Sequence, residues 1–371
     1  MIPIKKPLIG DEESAAVMEV LKSGIVAQGP KVAEFEAKFA EKCGARYGVA
    51  VNSGTAAAHA IMNAYGISAG DEVICVSFSF IATATPILMC GATPVFVDID
   101  PATLNIDADA IEAAITDKTK AVVAVNLFGR LAPWAELKEV CDKHGLILLE
   151  DAAQSHFASR DGTVSGNFAH AAWFSFYATK NMMMAEGGMV VTNDKAVEES
   201  AKRFRQHGMS GLGMYDYEEL GYNYRTTDIN AAIGLAQLEK IDGFNDKRIA
   251  IARRYNVEFA GLPGLSLPLS SNDRDHVYHL YTMAAPNSDV RDAVVAKLKE
   301  AGVGCGIYYP TPLSKISVFR DAGGRGECPK AEQASETVFS IPCEPYMSDE
   351  QIDEVITTFK ECYVAVAESQ A

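Results

Sequence analysis

The sequence predicts an α/β protein in which a large domain with a mostly parallel sheet precedes a smaller C-terminal α/β domain. Three observations lead to this prediction. Short β-rich segments alternate with helical patterns through the first two thirds of the chain. Those segments are apolar along their whole length, as in parallel strands that helices cover on both faces. The length of 371 residues also exceeds what one hydrophobic core commonly organises.

The large domain begins with a strand predicted at 47–53 and a helix at 55–65, which Gly66 ends. The uncharged stretch 73–97 is long enough to span a bilayer, but its Pro and Gly residues favour a strand, a short helix and another strand. A helical pattern, PWAELKEVCDKHG, separates two of the later strands. The strands predicted after the first are DEVICVSF, ATPVFVDI, KAVVAVNLF, GLILLED, AAWFSFYA and GMVVTN.

The second part of the chain follows a helix that begins near Asp228. We predict that this helix ends at Gly243 and that another begins at about 246, which divides the chain into domains 1–245 and 246–371. HVYHLYTMAA and VGCGIYY are typical of strands, and the helix between them ends at Gly302. Ser348 and Gln351 have the spacing of a capping box, which predicts a final helix.

Composition excludes several classes of protein. There are 33 Lys and Arg against 49 Asp and Glu, a net charge of −16, so we expect neither a nucleic acid nor an anionic membrane as a partner. The 8 cysteines form no CxxC pair and no zinc-type cluster with histidine. The N-terminal segment lacks the apolar core of an export signal. We therefore expect a cytoplasmic protein without a metal site.

A candidate phosphate site lies between the first strand and its helix. Ser53, Gly54 and Thr55 stand at this helix start, where free amides and hydroxyls suit an anion. Gly54 allows close approach of the backbone. Taken alone, the motif is more often an ordinary helix cap.

Two further candidates follow later strands. Asp151 stands at the end of the strand GLILLED, although an Asp here is commonly a helix cap. Lys180 follows the apolar segment FSFYA, where burial would lower its pKa and suit it to form a Schiff base, although a surface lysine is the usual case. Ligands bind beyond the carboxyl ends of parallel strands, so the three features are expected to meet. A phosphate site, a carboxylate for a pyridinium nitrogen and an amine match pyridoxal phosphate.

An ordered series of motifs runs through nearly the whole chain: SGTAA, GDEV, SFSF, GATPVFVDID, EDAAQ, FSFYATKN, EGGMVVTN and GYNYR. The series resembles the DegT/DnrJ/EryC1/StrS family of sugar aminotransferases. The resemblance implies fold type I of the pyridoxal phosphate enzymes, with a mostly parallel seven-stranded sheet in the large domain. It also implies a homodimer with active sites at the interface, and transfer of an amino group from L-glutamate to a ketosugar, usually nucleotide-linked.

The resemblance assigns roles to individual residues. It makes Lys180 the Schiff-base lysine and general base, and it pairs Asp151 with the pyridine nitrogen. Gln154 would lie near the 3-hydroxyl of the ring, and Phe80 would stack on the ring, although Phe80 could equally be a core residue.

Other roles concern the phosphate. Gly54 and Thr55 match the family's phosphate loop, and Ser175 would supply a further hydroxyl. Asn223 in GYNYR would reach the phosphate from the neighbouring subunit, although it could equally be a turn residue. Arg225 and Lys315 are candidates for the phosphates of a nucleotide.

Three positions depart from the family pattern. Ala178 replaces the usual Pro before Thr-Lys-Asn, and Tyr308-Tyr309-Pro310 replaces His-Tyr-Pro. The run Met182, Met183 and Met184 could form an apolar wall for a sugar, but we favour core filling, because methionine commonly fills irregular gaps.

The sequence thus predicts a pyridoxal phosphate-dependent sugar aminotransferase. A 4-keto-6-deoxy nucleotide sugar is the preferred acceptor, on the resemblance of GYNYRTTDINAAIG to relatives that act at C4. A 3-ketosugar, a cyclitol or another cyclic ketone is the alternative within the enzyme class. A non-catalytic cofactor-binding regulator is the alternative from another class.

Overall fold

A computed structural model describes residues 1–210, 215–270 and 274–370 of the chain. Short 3-10 turns (Ile81–Thr83, Ala108–Ala110, Leu127–Gly129 and Leu313–Lys315) connect some of its elements. The helices are α1 (Asp11–Ser23), α2 (Pro30–Lys42), α3 (Gly54–Ala64), α4 (Thr85–Met89), α5 (Ile111–Ala114), α6 (Trp134–His144), α7 (Lys195–Arg205), α8 (Asp228–Glu258), α9 (Ser288–Glu300), α10 (Ser317–Asp321), α11 (Pro329–Thr337) and α12 (Asp349–Gln370).

A seven-stranded sheet organises the first part of the chain, in the order β1-β9-β8-β5-β4-β2-β3. Within it only β9 runs against its neighbours, so the sheet is mostly parallel, as predicted. Two small antiparallel pairs, β6 with β7 and β10 with β11, stand apart from it. The strands are β1 (Tyr47–Val51), β2 (Glu72–Val76), β3 (Thr93–Val97), β4 (Thr119–Val125), β5 (Ile147–Asp151), β6 (Ser159–Arg160), β7 (Thr163–Val164), β8 (Ala171–Ser175), β9 (Gly188–Thr192), β10 (Tyr281–Ala284) and β11 (Val338–Ile341).

The interior of the sheet is apolar because helices cover both of its faces. Central strands such as β4 and β9 are buried along most or all of their length. The predicted strand, short helix and strand at 73–97 correspond to β2, α4 and β3. No helix in the described part of the chain is long and apolar enough to cross a membrane.

A second core lies in the C-terminal part and contains Tyr255, Tyr281, Phe339 and Phe359. The N-terminal residue Ile2 packs into this core as well. In the other direction, some C-terminal residues, Leu313, Phe319 and Val338 among them, pack into the large core. Segments of the chain therefore cross between the two cores, and the division at 245/246 stays a prediction.

The predicted helix end at Gly243 is wrong, because α8 continues as one helix of 31 residues. A glycine inside a helix costs only about 1 kcal/mol relative to alanine, which packing on both sides of it outweighs. The first half of α8 contacts α1 and α2. The second half buries Ile251, Ala252 and Tyr255 in the second core.

The strand predicted at 303–309 is also wrong. This segment forms only isolated bridges, from Val303 to Ile2 and from Gly306 to Ser340. A side chain at Gly304 would approach the Ile4 nitrogen to 2.7 Å, so glycine here serves close contact with the N-terminal segment. The Ser348–Gln351 capping box is confirmed, with reciprocal hydrogen bonds of 3.1 and 3.3 Å.

Candidate active site

The carboxyl ends of β1, β2, β5 and β8 meet at one edge of the sheet, because these strands are mutually parallel. A cavity of about 650 Å³ opens there. Segments that follow or end these strands form part of its wall, and residues from the N-terminal and C-terminal parts, such as Lys5 and Tyr309, form the rest. Its lining contains eight of the nine residues predicted to bind the cofactor or act in catalysis, namely Ser53, Gly54, Thr55, Phe80, Asp151, Gln154, Ser175 and Lys180.

One end of the cavity is built around the first turn of α3. Ser53 caps this helix by accepting a hydrogen bond from the Ala56 amide at 3.1 Å, so the helix-cap interpretation holds together with the cavity position. A Cβ at Gly54 would lie 2.8 Å from the Ser175 Cβ. The backbone of α3 therefore comes close to the end of β8. The first amides of a helix have no intrahelical partner, and this end of the cavity is suited to a phosphate.

Asp151 is buried at the end of β5, and its carboxylate lines the cavity. It accepts hydrogen bonds from the Thr83 hydroxyl at 2.8 Å and from the Ala153 amide at 3.1 Å. Burial raises the pKa of Asp151, while these donors and the Lys180 charge oppose the rise. A cationic ring nitrogen beside it would compensate the buried carboxylate.

Lys180 lies in the loop that joins β8 to β9. Its amide donates to the Tyr177 carbonyl at 2.9 Å, and the loop closes through the Met184 amide, which donates to the Phe176 carbonyl at 2.9 Å. Burial lowers the pKa of Lys180 to about 8, and the Lys5 ammonium acts in the same direction, whereas Asp151 opposes it. The side chain is thus more easily deprotonated than a surface lysine and can act as a nucleophile or base near neutral pH.

Gln154 and Tyr309 form a polar pair in the cavity wall. The Gln154 Oε1 accepts from the Phe128 amide at 2.8 Å, and its Nε2 donates to the Tyr309 hydroxyl at 3.2 Å. Phe80 is 51% exposed, and its ring centroid is 6.0 Å from that of Tyr309. Phe80 is therefore a cavity residue and not part of the core in this chain.

Several residues of the lining were not among the predicted site residues, and Lys5, Thr83, Trp173 and Tyr309 are examples. Tyr309 lies in the segment that departs from the family pattern, which was the available signal. Thr83 and Trp173 belong to apolar stretches and carry no motif. The position of Lys5 depends on how the N-terminal segment packs, which no local pattern encodes.

Three other predicted residues do not line the cavity of their own chain. Asn223 is exposed, and its carbonyl accepts from the Asn52 side chain at 3.4 Å. Arg225 is absent from the lining. Lys315 is also absent and pairs with Glu332 at 3.0 Å, which makes it a surface ion pair.

The three methionines after the lysine motif are buried, and none of them lines the large cavity. This agrees with the preferred interpretation that they fill the core. Met182 and Met184 pack in a core with Phe35, Phe39 and Phe176. Flexible side chains here fill the space under the loop that carries Lys180.

The residues present fit pyridoxal phosphate. The cradle between Gly54 and Ser175 has no room for a further side chain. A buried carboxylate and a lysine of lowered pKa line the same cavity. Ser53, Gly54, Thr55 and Ser175 would hold the phosphate, and Asp151 and Lys180 the ring end.

Comparison with known proteins gives a consistent result. The model of the DegT/DnrJ/EryC1/StrS aminotransferase family matches residues 7–360. The spore coat polysaccharide biosynthesis protein SpsC of Bacillus subtilis (strain 168) is 38% identical over 376 residues, which cover 97% of this chain and 96% of SpsC. A pleiotropic regulatory protein of Geobacillus stearothermophilus is 38% identical over 349 residues, which cover 93% and 92%.

A solved structure has the same fold. The putative sugar aminotransferase Spr1654 of Streptococcus pneumoniae, in its PMP-form, superposes with a TM-score of 0.94 at 29% identity, covering 100% of this chain and 99% of Spr1654. Its PLP-form gives a TM-score of 0.93. The chain therefore belongs to the DegT/DnrJ/EryC1/StrS aminotransferase family and is a pyridoxal phosphate-dependent aminotransferase.

Proposed function

We propose that this enzyme transfers the amino group of L-glutamate to the keto group of a nucleotide-linked sugar, with a 4-keto-6-deoxy sugar as the preferred acceptor. The observation that carries the proposal is the joint presence of Lys180, Asp151 and the Gly54 cradle in one cavity of about 650 Å³. The names of SpsC and Spr1654 concern polysaccharide biosynthesis and sugar amination, which supports a sugar as the acceptor.

When bound, pyridoxal phosphate supplies an electron sink and carries the amino group from donor to acceptor. Asp151 holds the proton on the pyridine nitrogen, and Thr83 and the Ala153 amide keep its carboxylate in place. The Lys180 Nζ moves the proton at the substrate carbon that gains or loses the amino group. Gln154, fixed by the Phe128 amide, orients the ring through its 3-hydroxyl.

Apolar and aromatic residues border the rest of the cavity. Phe80, Tyr177, Ile307 and Tyr308 all contribute to its lining. Such surfaces pack against the apolar face of a sugar ring and exclude water from the reacting atoms. Tyr177, Ile307 and Tyr308 are the proposed acceptor walls, and Phe80 keeps its proposed place against the cofactor ring.

The active unit in this proposal is a homodimer. Asn223 is exposed on its own chain and lies outside its own cavity. Its proposed role is to reach the phosphate bound in the neighbouring subunit. The hydrogen bond from Asn52 to the Asn223 carbonyl leaves the Asn223 side chain available for that contact.

The proposal is tested by recording the absorbance of the purified holoenzyme while L-glutamate is added, followed by a panel of 4-keto and 3-keto nucleotide sugars. We expect L-glutamate to bleach the cofactor band and one 4-keto sugar to restore it. Lys180→Ala should abolish the response, whereas exposed Lys299→Met, on α9, should retain it. A band that L-glutamate leaves unchanged contradicts the proposed donor.

Assays on the same purified protein distinguish the proposed acceptor from the alternative acceptors, and an enzyme from a regulator. Restoration of the band by a 3-ketosugar or a free cyclic ketone, and not by a 4-keto nucleotide sugar, would favour the alternative acceptors. One relative is named a pleiotropic regulatory protein, so a regulatory role has a specific observation behind it. A salt-dependent shift of DNA by the purified protein would support that role, against the expectation from the net charge of −16.

A further inference from the structure

A second lysine, Lys5, lines the cavity that contains Lys180. Lys5 belongs to the N-terminal segment, which packs against the second core through Ile2. The Ile2 amide donates to the Gly302 carbonyl, and the Gly304 amide donates to the Ile2 carbonyl, both at 2.8 Å. The Tyr346 hydroxyl donates to the Pro3 carbonyl at 3.2 Å. Lys5 therefore has a fixed backbone, unlike most residues so close to a chain end.

The Lys5 ammonium has two hydrogen-bond partners in the protein. It donates to Glu344 Oε1 at 2.6 Å and to the carbonyl of His279, and its side chain is only 8% exposed. Arg248 donates to the other oxygen of Glu344 at 2.7 Å, and its side chain is 3% exposed. Two buried cations thus share one carboxylate.

The single negative charge of Glu344 does not balance the two positive charges of Lys5 and Arg248, and one N–H of the Lys5 ammonium has no acceptor among the described residues. Glu344 is the only carboxylate that contacts Lys5 in the described part of the chain, and Arg248 is always charged. An ammonium has three N–H donors, of which Glu344 and His279 take two. Buried charge without a full counter-charge is costly, so a further anion beside Lys5 would stabilise the site.

We propose that Lys5 binds the α-carboxylate of the amino donor, so that the Lys5, Arg248 and Glu344 cluster is the donor carboxylate subsite. This inference rests on the proposed function, in which the donor is L-glutamate. The α-carboxylate is attached to the carbon that bears the reacting amino group, so it must lie close to Lys180. The diphosphate of a nucleotide sugar is anionic too, but it is many bonds away from the reacting keto carbon and belongs nearer the cavity mouth.

The electrostatics of the two lysines agree with this position. Burial lowers the pKa of Lys5, Arg248 acts in the same direction, and Glu344 opposes both. A bound carboxylate would favour the ammonium form of Lys5. Lys5 is also near enough to Lys180 for its charge to lower the pKa of Lys180.

The test compares two amines as donors to the holoenzyme. L-Glutamate has an α-carboxylate, whereas 4-aminobutanoate lacks it and keeps the distal carboxylate. Lys5→Met should raise the KM for L-glutamate about ten- to a hundredfold, as expected for a lost hydrogen bond to a charged group. The kinetic constants for 4-aminobutanoate and the KM for the ketosugar should change less than about threefold. Lys299→Met is the matched control and should change none of them.

A binding measurement complements the kinetics. Calorimetric titration of the holoenzyme with glutarate, an unreactive dicarboxylate, should show weaker binding to Lys5→Met by a similar factor. Lys5→Gln is the second variant, because an amide can still donate to Glu344 and to the His279 carbonyl while the charge is removed. It should give the same selective loss if Lys5→Met does not fold.

The outcomes separate the two proposals. A wild-type enzyme that responds to L-glutamate, with unchanged KM and glutarate affinity in the Lys5 variants, overturns the subsite alone. A KM increase confined to the ketosugar also overturns it and assigns Lys5 to the diphosphate. A wild-type enzyme that does not respond to L-glutamate overturns the proposed donor and the subsite with it.

Discussion

Glu150 and Asp151 are adjacent carboxylates at the end of β5, and the two faces of that strand use them differently. Successive side chains of a strand point to opposite faces. Glu150 accepts from the Asn126 amide at 2.8 Å, the Ser165 hydroxyl at 2.7 Å, and the Gly166 and Phe168 amides at 2.9 and 3.3 Å. Asp151 accepts from the Thr83 hydroxyl, the Ala153 amide and the Trp173 side chain, and it lines the cavity.

We propose that the difference separates a structural carboxylate, Glu150, from one that serves the cofactor, Asp151. Glu150 is completely buried, and its partners tie β4 to the segment that leads into β8. Asp151 also has protein donors, but it lines the cavity, where a ligand can reach it. Burial raises the pKa of both residues, so a raised pKa alone does not identify the functional carboxylate. The two carboxylates differ instead in the face of β5 from which each side chain projects.

The largest effect is expected at Asp151. Asp151→Asn keeps the shape: its one oxygen can accept from the Ala153 amide, and its NH2 group can donate to the Thr83 hydroxyl, but it cannot hold a proton on the ring nitrogen by charge. We expect kcat to fall about a hundred- to a thousandfold, with little change in melting temperature. Asp161→Asn, at an exposed position, is the matched control and should retain full activity. A variant of Asp151 with nearly normal kcat would remove the distinction between the two faces.

The second prediction concerns Glu150, on the other face of β5, and its contribution to stability. Glu150→Ala removes the acceptor of four donors, three of them buried, so we expect the free energy of unfolding to fall by about 3 kcal/mol. The measurement is urea unfolding of the cofactor-free protein, with Asp151→Asn in parallel. If Glu150→Ala unfolds at the same urea concentration as Asp151→Asn, the structural role of Glu150 is wrong.

A smaller effect concerns the pKa of Lys180, which lines the same cavity as Asp151. Only a neutral Lys180 reacts with pyridoxal phosphate, so the rate at which the cofactor-free protein takes up the cofactor should rise with pH through about 8 and then level off. Asp151→Asn removes a charge that raises the pKa of Lys180, and its midpoint should move to lower pH. Lys5→Met removes a charge that lowers this pKa, and its midpoint should move to higher pH. We expect the midpoints of the two variants to lie on opposite sides of the wild-type midpoint.

Shifts of the same sign in both variants would contradict this electrostatic picture. The rate is followed by the absorbance of the bound cofactor at a fixed excess of pyridoxal phosphate. Lys299→Met serves as the control, because it removes a charge of the same sign from the exposed surface of α9. Its midpoint should match that of the wild-type protein.

Local patterns predicted most of the sheet and three features of the cavity. Ser53, Asp151 and Lys180 could be found because each ends or follows an apolar strand, and parallel strands end at one edge. Ser175 was predicted from the family resemblance. The strand positions could be found from runs of apolar residues. The order of the motifs along the chain added the family.

What the sequence did not predict depends on packing between distant segments. Lys5 reaches the cavity because Ile2 and Gly304 pair across 300 residues of chain. The helix α8 continues through Gly243 because residues before and after the glycine are buried. Their burial outweighs the low helix propensity of glycine. The opposite roles of Glu150 and Asp151 require knowledge of which face of β5 has the cavity. The role of Asn223 stays a prediction, since it depends on a second subunit.

The central claim is that Lys180, and not the second lysine in the cavity, holds the cofactor. The most direct test is to treat the holoenzyme with borohydride, which reduces the bond between lysine and cofactor to a stable one, and to locate the modified peptide by mass spectrometry. The account predicts the pyridoxyl group on Lys180 alone, and no modification in Lys180→Ala. A pyridoxyl group on Lys5, on another lysine, or on none in a protein that retains activity would contradict it.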